Sequence, residues 1–413
     1  MSSSTKSVYI LGGHQTDYAR NWARESLEIA DMMEVSVLGT LESADVDAGD
    51  IGVVHIGNFV ADLFCGQGLL GGVLVEKIPE LAGLPTNRHE AACASGSMAV
   101  LAAMADIESG RYDLACVLGV EQMRNVHGDT AAQYLGAAAW RGHEAEGVKY
   151  CWPHMFHQLT DEYEKRYGIN YDHVVRIAEI NYENGRRNPN SQTRAWQFNE
   201  QSFTADDEAN PVIDGWVRRN DCGQVTDGGA CILLASEAYA RDYASKHGLS
   251  LQDIPRIQGW GHRTAPISYG SKMAASEEQA LIFPHVSQTI LDAFGRAGVA
   301  NVRDLSAIET HDCFAITEYM AIDHFGITAP GESWKAVEEG LINFDGALPI
   351  NPSGGLIGTG HPVGATGVRM LLDAAKQVSG NAGEYQVPKA NKVATLNIGG
   401  STTASACFVV GTS

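Results

Sequence analysis

The sequence is short of positive charge. Its 413 residues include 29 Lys and Arg against 50 Asp and Glu, which gives a formal net charge of −21. Nucleic acids and anionic membranes are polyanions, so this balance argues against both as partners. An anionic small ligand stays compatible with the chain if a few cations are gathered at one place.

Long apolar runs and paired cysteines are also missing. The longest apolar stretch, residues 91–105, is broken by Asp106 before it reaches the ~18 residues that a spanning helix needs. The N-terminus has no apolar segment of the signal-peptide kind, and the C-terminal residues are not a peroxisomal address. The eight cysteines contain no CxxC pair, as is typical of reduced thiols. We therefore expect a cytoplasmic protein without a membrane segment.

Apolar runs bounded by turn residues alternate with segments of helical spacing along the chain. This alternation predicts an α/β class with buried sheets. The predicted strands are 8–11, 114–120, 230–235, 393–398 and 406–410, and the predicted helices are 25–43, 97–109, 277–297, 315–325 and 368–378.

The chain shows a weak internal duplication. Each half runs through a strand, a sharp turn with a cysteine (93 or 313), a helix and another strand, so we expect both turns near a shared ligand site. A strand-poor region rich in Trp, His, Asn, Arg and Tyr predicts a subdomain over that site. The expected divisions are an N-terminal half at 1–122, an inserted loop subdomain at 123–220, the completion of the N-terminal half at 221–280 and a C-terminal half at 281–413.

Cys93 is the first candidate for chemistry. It precedes an apolar helix, where backbone N–H groups and the helix dipole favour a thiolate, the nucleophilic form of cysteine. A turn of small residues between strand and helix is also a place where a nucleophile is exposed. The alternative is a buried structural cysteine.

Two further segments carry candidates. Residues 351–367 contain six glycines around His361, and such a loop can bring backbone and imidazole against a substrate. In the second segment, His311 and Cys313 are two positions apart and would face the same side of an extended chain. Taken alone, residues 351–367 are also compatible with a glycine-rich connector that carries a surface histidine. Taken alone, His311 and Cys313 are also compatible with the end of a strand that has a hydrogen-bonded histidine and a core cysteine.

Together these features resemble the thiolase superfamily, and the resemblance covers essentially the whole chain. The familiar thiolases carry a cysteine where this chain has Asn397, and an Asn-Glu-Ala-Phe motif where it has residues 311–314. That departure is similar to the sterol carrier protein 2 type of thiolase, although the chain ends soon after Val410, so no fused sterol-carrier domain is expected. The matching motifs are Cys93-Ala94-Ser95-Gly96, residues 360–367 and residues 397–401.

The resemblance implies a fold of two similar halves in layers, and a mechanism. His361 accepts the proton of Cys93, which attacks an acyl thioester, and Cys313 is the second acid/base. His311 and His361 hold the enolate, and the backbone N–H groups of Cys93 and Gly399 hold the tetrahedral intermediate. The resemblance also implies that His154 and Met155 lie beside the acyl-pantetheine chain.

The implied protein is an acetyl-CoA C-acyltransferase that needs no cofactor, with coenzyme A as substrate or product. By analogy it is a homodimer or homotetramer, with an OB-fold partner subunit as an option.

Several alternatives stay open on the sequence. Ketosynthase-like enzymes also use one cysteine and two histidines, but they form the enolate by decarboxylation and need no second acid/base. Acyl transfer to a non-CoA acceptor, retro-aldol cleavage with an OB-fold partner, and a non-catalytic acyl-CoA or lipid carrier are the others. Cys151, His154 and His157 have the spacing of metal ligands but no evident fourth ligand, so we expect no metal. The Arg186-Arg187 and Arg218-Arg219 pairs are candidates for the coenzyme A phosphates or are solvated surface.

Overall fold

A mixed sheet of nine strands organises the computed structural model, which describes residues 6–412. A separate two-stranded ribbon is formed by residues 212–214 and 217–218. The strands are β1 (Val8–Gln15), β2 (Val53–Gly57), β3 (Thr86–His89), β4 (Leu114–Glu121), β5 (Val212–Asp214), β6 (Val217–Arg218), β7 (Gly228–Ser236), β8 (Arg256–Thr264), β9 (Ala307–Thr310), β10 (Lys392–Gly399) and β11 (Ala404–Gly411).

The order of the strands confirms the two similar halves. The sheet runs β3-β2-β4-β7-β1-β8-β11-β10-β9. From the centre outwards, β1, β7, β4 and β2 are joined by two antiparallel pairings and then a parallel one. The series β8, β11, β10 and β9 repeats the same three pairings, and β1 pairs antiparallel with β8 where the halves meet.

This topology corrects one correspondence expected from the sequence. The turn at Cys93 follows β3, whereas the turn at Cys313 follows β9, the counterpart of β2. A parallel bridge between Ile308 and Ile350 puts the chain after Ile350 in the place that β3 has in the first half. The counterpart of the Cys93 turn is therefore the segment that carries His361. Sequence comparison missed this because both Cys93 and Cys313 precede helices.

The long apolar runs form strands because both faces of the sheet are covered. In β4, Ala115 and Val117 face one core while Leu114, Cys116 and Leu118 face another. Successive side chains of a strand point to opposite faces, so a strand buried on both faces loses the polar alternation of an exposed one.

Helices form the layers on either side of the strands. The pair α4 (Ser95–Glu108) and α14 (Thr366–Val378) packs together in the middle, against strands of both halves. On the outside, α1 (Ile29–Ala44) and α8 (Glu237–His247) cover the first half, and α10 (Pro284–Ala297) and α11 (Ala315–His324) cover the second. The helices are α1 (Ile29–Ala44), α2 (Ala61–Phe64), α3 (Leu70–Lys77), α4 (Ser95–Glu108), α5 (Gly128–Leu135), α6 (Cys151–Tyr167), α7 (Tyr171–Gly185), α8 (Glu237–His247), α9 (Tyr269–Ser276), α10 (Pro284–Ala297), α11 (Ala315–His324), α12 (Ser333–Glu338), α13 (Gly355–Gly358) and α14 (Thr366–Val378).

One predicted helix was too long. The segment 277–297 is helical only from Pro284, because proline disfavours the helical conformation of the residue before it and is tolerated in the first turn of a helix. Among residues 6–412, no helix combines the length and apolarity needed to cross a membrane.

Candidate active site

A sharp turn after β3 presents Cys93. Ala92 has a φ of 51°, a left-handed conformation that is uncommon for a residue with a side chain. The hydroxyl of Ser95 stabilises this turn, since it accepts from the Ala91 N–H at 3.0 Å and donates to the Ala92 carbonyl at 2.6 Å. A strained backbone conformation of this kind is retained only where surrounding contacts hold it in place, as at many functional sites.

Close helix packing brings this turn against the segment of His361. A Cβ added to Gly96 would lie 2.8 Å from the Gly364 carbonyl oxygen, and one added to Gly364 would lie 2.6 Å from the Val120 carbonyl oxygen. A side chain at Gly96 would push α4 away from the loop before α14, and one at Gly364 would push that loop away from the end of β4, so glycine is required at both.

Cys93 is neutral in the free protein. Desolvation raises the pKa of its thiol to about 12, although the backbone N–H groups of Gly400 and of Cys93 itself oppose this rise. The Gly400 amide lies one residue after the predicted donor Gly399, whose own role stays a prediction.

His361 is held as a proton acceptor. The Thr366 hydroxyl donates to the Pro362 carbonyl at 3.1 Å, so it accepts from the Nδ1–H of His361 at 2.7 Å. The Nε2 atom is buried and has no hydrogen-bond partner among the described residues. Desolvation lowers the pKa of His361 to about 3, so the imidazole is neutral with its Nε2 lone pair available.

His311 is held in the opposite tautomer. Its Nδ1 accepts from the Asn397 side-chain amide at 3.1 Å and from the Ile398 N–H at 3.4 Å. Asn397 is itself oriented, because its Oδ1 accepts from Ser97 at 2.7 Å. The proton of neutral His311 therefore lies on Nε2, and desolvation keeps the pKa of this imidazole well below its usual value.

These three side chains converge. The Cys93 sulfur and one ring nitrogen from each of His311 and His361 lie within 4.8 Å of one another. The two rings are perpendicular, with centroids 5.1 Å apart. One thiol and two imidazoles can ligate zinc, but an Nε2 that carries a proton has no lone pair to offer. The arrangement suits one acceptor and one donor around a thiol.

Cys313 lies at the same cavity, at the start of α11. The nearby Thr317 side chain and Phe314 N–H favour the thiolate form of Cys313. Desolvation and the nearby Cys93 outweigh them and raise the pKa of Cys313 well above its usual value. The proton on Cys313 is therefore available for donation.

The cavity is lined mainly by apolar and aromatic side chains. It has a volume of about 180 Å³ and contains both Cys93 and Cys313. Its aromatic wall is a series in which Trp152 approaches Phe156 (ring centroids 6.3 Å) and Phe156 stacks on Phe314 (4.6 Å). The other lining residues are Phe59, Ala132, Leu135, Ala138, Tyr150, Cys151, Pro153, Cys222, Gly223, Val225, His361, Val363 and Gly400.

Comparison with known families agrees with this site. Residues 8–238 match the family described as "Thiolase, N-terminal domain", and residues 269–412 match "Thiolase C-terminal domain-like". The chain belongs to the thiolase family. It is a thiolase-like acyltransferase, and the resemblance drawn from its motifs is confirmed.

Curated relatives of this thiolase cover nearly its whole length. It is 30% identical to an acetyl-CoA acetyltransferase of Methanothermobacter thermautotrophicus, over 96% of this chain and 97% of the relative. It is 26% identical to human sterol carrier protein 2, over 96% of this chain and 70% of that protein.

Solved structures share the fold of the thiolase. An Ltp2-ChsH2(DUF35) aldolase has a TM-score of 0.77 at 17% identity, with 98% of each chain covered. Human mitochondrial 3-ketoacyl-CoA thiolase in complex with CoA has a TM-score of 0.69 at 14% identity, with 99% of this chain and 98% of the other covered.

Two predicted substrate-binding residues of the thiolase lie outside the cavity lining. The Met155 side chain is buried, and the Nδ1 atom of His154 lies 3.4 Å from the Asp214 carboxylate. The first turn of α6, residues 151–153, lines the cavity instead. The binding role of His154 and Met155 stays a prediction.

Arg187, Arg218 and the two histidines of the metal-ligand spacing contact neighbouring side chains in the thiolase. Arg218 pairs with Asp207 at 2.8 Å, and the Arg187 guanidinium lies over the Phe344 ring. His157 lies 3.4 Å from Asp161, so it and His154 contact different carboxylates.

Asp312 was missed by sequence reasoning. Its buried carboxylate accepts from the Leu356 and Ile357 N–H groups at 2.6 and 3.1 Å, which ties the Cys313 segment to the loop before His361. The Asp next to two candidate residues was a signal, but nothing local indicated its partners more than 40 residues away.

The pKa values of the site predict how the alkylation rate of unacylated Cys93 depends on pH. Only the thiolate reacts with iodoacetamide, so its alkylation is expected to accelerate about tenfold per pH unit without a plateau below about pH 9. Quantitative peptide mass spectrometry would measure the rate for Cys93, with Cys65 as an internal reference. A plateau below pH 8 would contradict the neutral pair and indicate a resting thiolate–imidazolium pair.

Proposed function

We propose that this thiolase cleaves 3-oxoacyl-CoA with coenzyme A, or runs the reverse Claisen condensation, through an acyl-Cys93 intermediate. One observation carries the proposal: Cys93 and Cys313 open onto a single apolar cavity, and His311 and His361 are locked in opposite tautomers beside Cys93. A nucleophile, an acceptor, a donor and a second acid/base are the groups that this chemistry needs.

Cleavage begins when Nε2 of His361 takes the proton of Cys93. The thiolate attacks C3 of the 3-oxoacyl group, and the resulting alkoxide is stabilised by the N–H groups around the sulfur, those of Cys93 and the Gly399-Gly400 segment. The bond between C2 and C3 then breaks. An acyl group stays on Cys93, and the enolate of acetyl-CoA is released.

The enolate oxygen is held by the Nε2–H of His311 and by the proton now on His361. Cys313 protonates the enolate at C2, which completes acetyl-CoA and leaves a Cys313 thiolate. That thiolate takes the proton of incoming coenzyme A. The coenzyme A sulfur attacks the acyl group, and Cys93 leaves and recovers its proton from His361.

The cavity supports an uncharged acyl group as substrate. No Asp, Glu, Lys or Arg lies among its lining residues, and burying an unpaired charge there would be costly. We propose that the aromatic series from Trp152 to Phe314 limits the acyl chain.

Trp152→Ala is expected to widen this limit. The Trp152 N–H donates to the Leu135 carbonyl at 3.0 Å, so the ring is fixed in the wall. Removing it should raise kcat/KM for the longest or bulkiest acyl groups by about tenfold relative to short ones, since one methylene is worth about 10- to 200-fold in a fitted pocket. Kinetics across chain lengths would measure this. Trp140→Ala, which removes an exposed tryptophan, is the control. If kcat/KM in Trp152→Ala had the same dependence on acyl chain length as in the wild type, the Trp152 ring would not determine specificity.

The alternatives fit this cavity less well. Decarboxylative condensation would not use Cys313 as an acid/base, and retro-aldol cleavage would not use Cys93 as a nucleophile. A carrier would need none of the hydrogen bonds that fix the two histidine tautomers.

Turnover of 3-oxoacyl-CoA tests the proposed function. Purified protein is mixed with coenzyme A and short, medium or long 3-oxoacyl-CoA, and the stalled adduct without coenzyme A is mapped among the eight cysteines. Turnover with an acyl group on Cys93 is expected. An adduct without thiolysis would indicate another acceptor or a required OB-fold partner, and neither adduct nor turnover would refute the proposal.

A further inference from the structure

A buried lysine lies under the turn that faces Cys93. Lys272, in α9, is only 3% exposed. Its ammonium donates to the Ile267 carbonyl at 3.0 Å, the Ser401 hydroxyl at 2.7 Å and the Thr403 hydroxyl at 3.0 Å. All three donors are used, and none of these acceptors carries a charge. A buried ammonium without an ionic partner is costly, and positions of this kind are concentrated at functional sites.

The turn held by Lys272 has a strained backbone. Residues 400–403 connect β10 to β11, and Gly400 and Thr402 both have left-handed conformations, with φ of 63° and 65°. This conformation is a clear outlier for a β-branched residue such as Thr402. It persists only when neighbouring contacts over-determine it.

Contacts from three places supply that restraint. Lys272 holds the side chains of Ser401 and Thr403, the Nε2–H of His285 donates to the Thr402 carbonyl at 2.9 Å, and the Ala265 N–H donates to the Thr403 carbonyl at 2.7 Å. Lys272 is the contact that reaches two residues of the turn at once.

The first residue of the strained turn, Gly400, lines the same cavity as the Cys93 sulfur. Its backbone N–H favours the Cys93 thiolate. We propose that Lys272 is a positioning residue: its ammonium holds residues 400–403 in the conformation that directs backbone N–H groups at Cys93 and at the oxyanion formed there. This inference rests on the proposed function, since it assumes that Cys93 is the nucleophile.

The charge state of Lys272 is consistent with this role. Desolvation lowers the pKa of the ammonium to about 8, and the nearby Glu144 opposes that change. The group is therefore charged and has all three protons at neutral pH.

Lys272→Met tests the inference, because methionine keeps the length and apolar stem of lysine and removes the donors. Two rates are measured on the full chain: acylation of Cys93 by acyl-CoA, by rapid quench and intact mass, and alkylation of Cys93 by iodoacetamide at a fixed pH. The acylation rate is expected to fall about 100-fold, the usual effect of losing one oxyanion donor, with KM changed less than about threefold. Alkylation should fall about tenfold, because the Gly400 N–H favours the thiolate, while alkylation of Cys65 should not change.

Ser401→Ala removes one acceptor of the same ammonium and keeps the test independent of how well Lys272→Met folds. It is expected to slow acylation several-fold in the wild-type background and to add little in Lys272→Met, as for residues that act through one contact. Ser271→Ala, an exposed neighbour in α9, is the control and should match the wild type.

The outcomes of these experiments distinguish failure of the Lys272 role from failure of the proposed function. Wild-type protein that is never acylated on Cys93 refutes the proposed function. Wild-type acylation with an unchanged rate in Lys272→Met, or a slower rate without the fall in Cys93 alkylation, refutes the role of Lys272. Full additivity of the Lys272→Met and Ser401→Ala effects also refutes it.

Discussion

Cys313→Ala is expected to lose cleavage of the carbon–carbon bond while it still takes an acyl group from acyl-CoA onto Cys93. In the proposed mechanism, acylation by acyl-CoA uses Cys313 only to return a proton to coenzyme A, which can also leave as a thiolate because its thiol is acidic. The enolate, in contrast, must receive a proton at C2 from Cys313. Positioned acid/base groups contribute about 10²- to 10⁴-fold, so a fall of about 10³-fold in thiolysis is expected. Cys93→Ala should lose both reactions.

Intact mass spectrometry of acylated protein and a thiolysis assay would measure the two reactions side by side. Cys222→Ala is the matched control, since Cys222 lines the same cavity but has no step in the mechanism. Equal loss of acylation and thiolysis in Cys313→Ala would show that this thiol acts on the first step as well, and thiolysis near the wild-type rate would show that it is not the acid/base.

Asn397→Asp is expected to lower thiolysis about 10³-fold with almost no change in side-chain volume. The Asn397 amide donates to Nδ1 of His311, whereas a carboxylate at that position would accept from it. The proton of His311 would then move to Nδ1, and Nε2 would present a lone pair to the enolate oxygen. A histidine held in the wrong tautomer is among the most damaging changes that an active site can suffer.

Nitrogen NMR of labelled imidazole would report this tautomer directly. Asn397→Ala is the matched variant: it removes the side-chain amide but keeps the Ile398 N–H that donates to Nδ1 of His311, so a smaller loss, about tenfold to 100-fold, is expected. If Asn397→Asp were no worse than Asn397→Ala, the tautomer would not be the reason for the asparagine.

Much of the fold could be predicted because the strands buried on both faces are plain apolar runs. The strands that were missed lack this signal. β3 is a short edge strand with the polar sequence Thr86–His89, and β2 contains His55. In β8, Gly259 and Gly261 let the α10 backbone approach closely, so two positions that would carry β-branched residues in an ordinary strand hold glycine.

In the candidate site, the residue identities could be predicted from the sequence, but their protonation states could not. Cys93, His311, Cys313 and His361 are visible because each lies in a compact local motif. Their protonation is decided by partners distant in sequence: Asn397 is 86 residues from His311, and Lys272 is 129 residues from Ser401. No local pattern predicts such contacts, because they exist only once both halves are packed.

The sheet order has a consequence for how the protein gains its activity during folding. Cys93 belongs to one half, whereas His311, Cys313 and His361 belong to the other, and these side chains come together only once the halves dock through the packing of α4 on α14 and the pairing of β1 with β8. Neither half alone has a nucleophile with its base. Regain of catalysis in a refolding experiment is therefore expected to follow the docking of the halves, and to lag behind the circular dichroism signal of the individual halves. Until then, the Cys93 thiol of a nascent chain has no base beside it and does not catalyse acyl transfer.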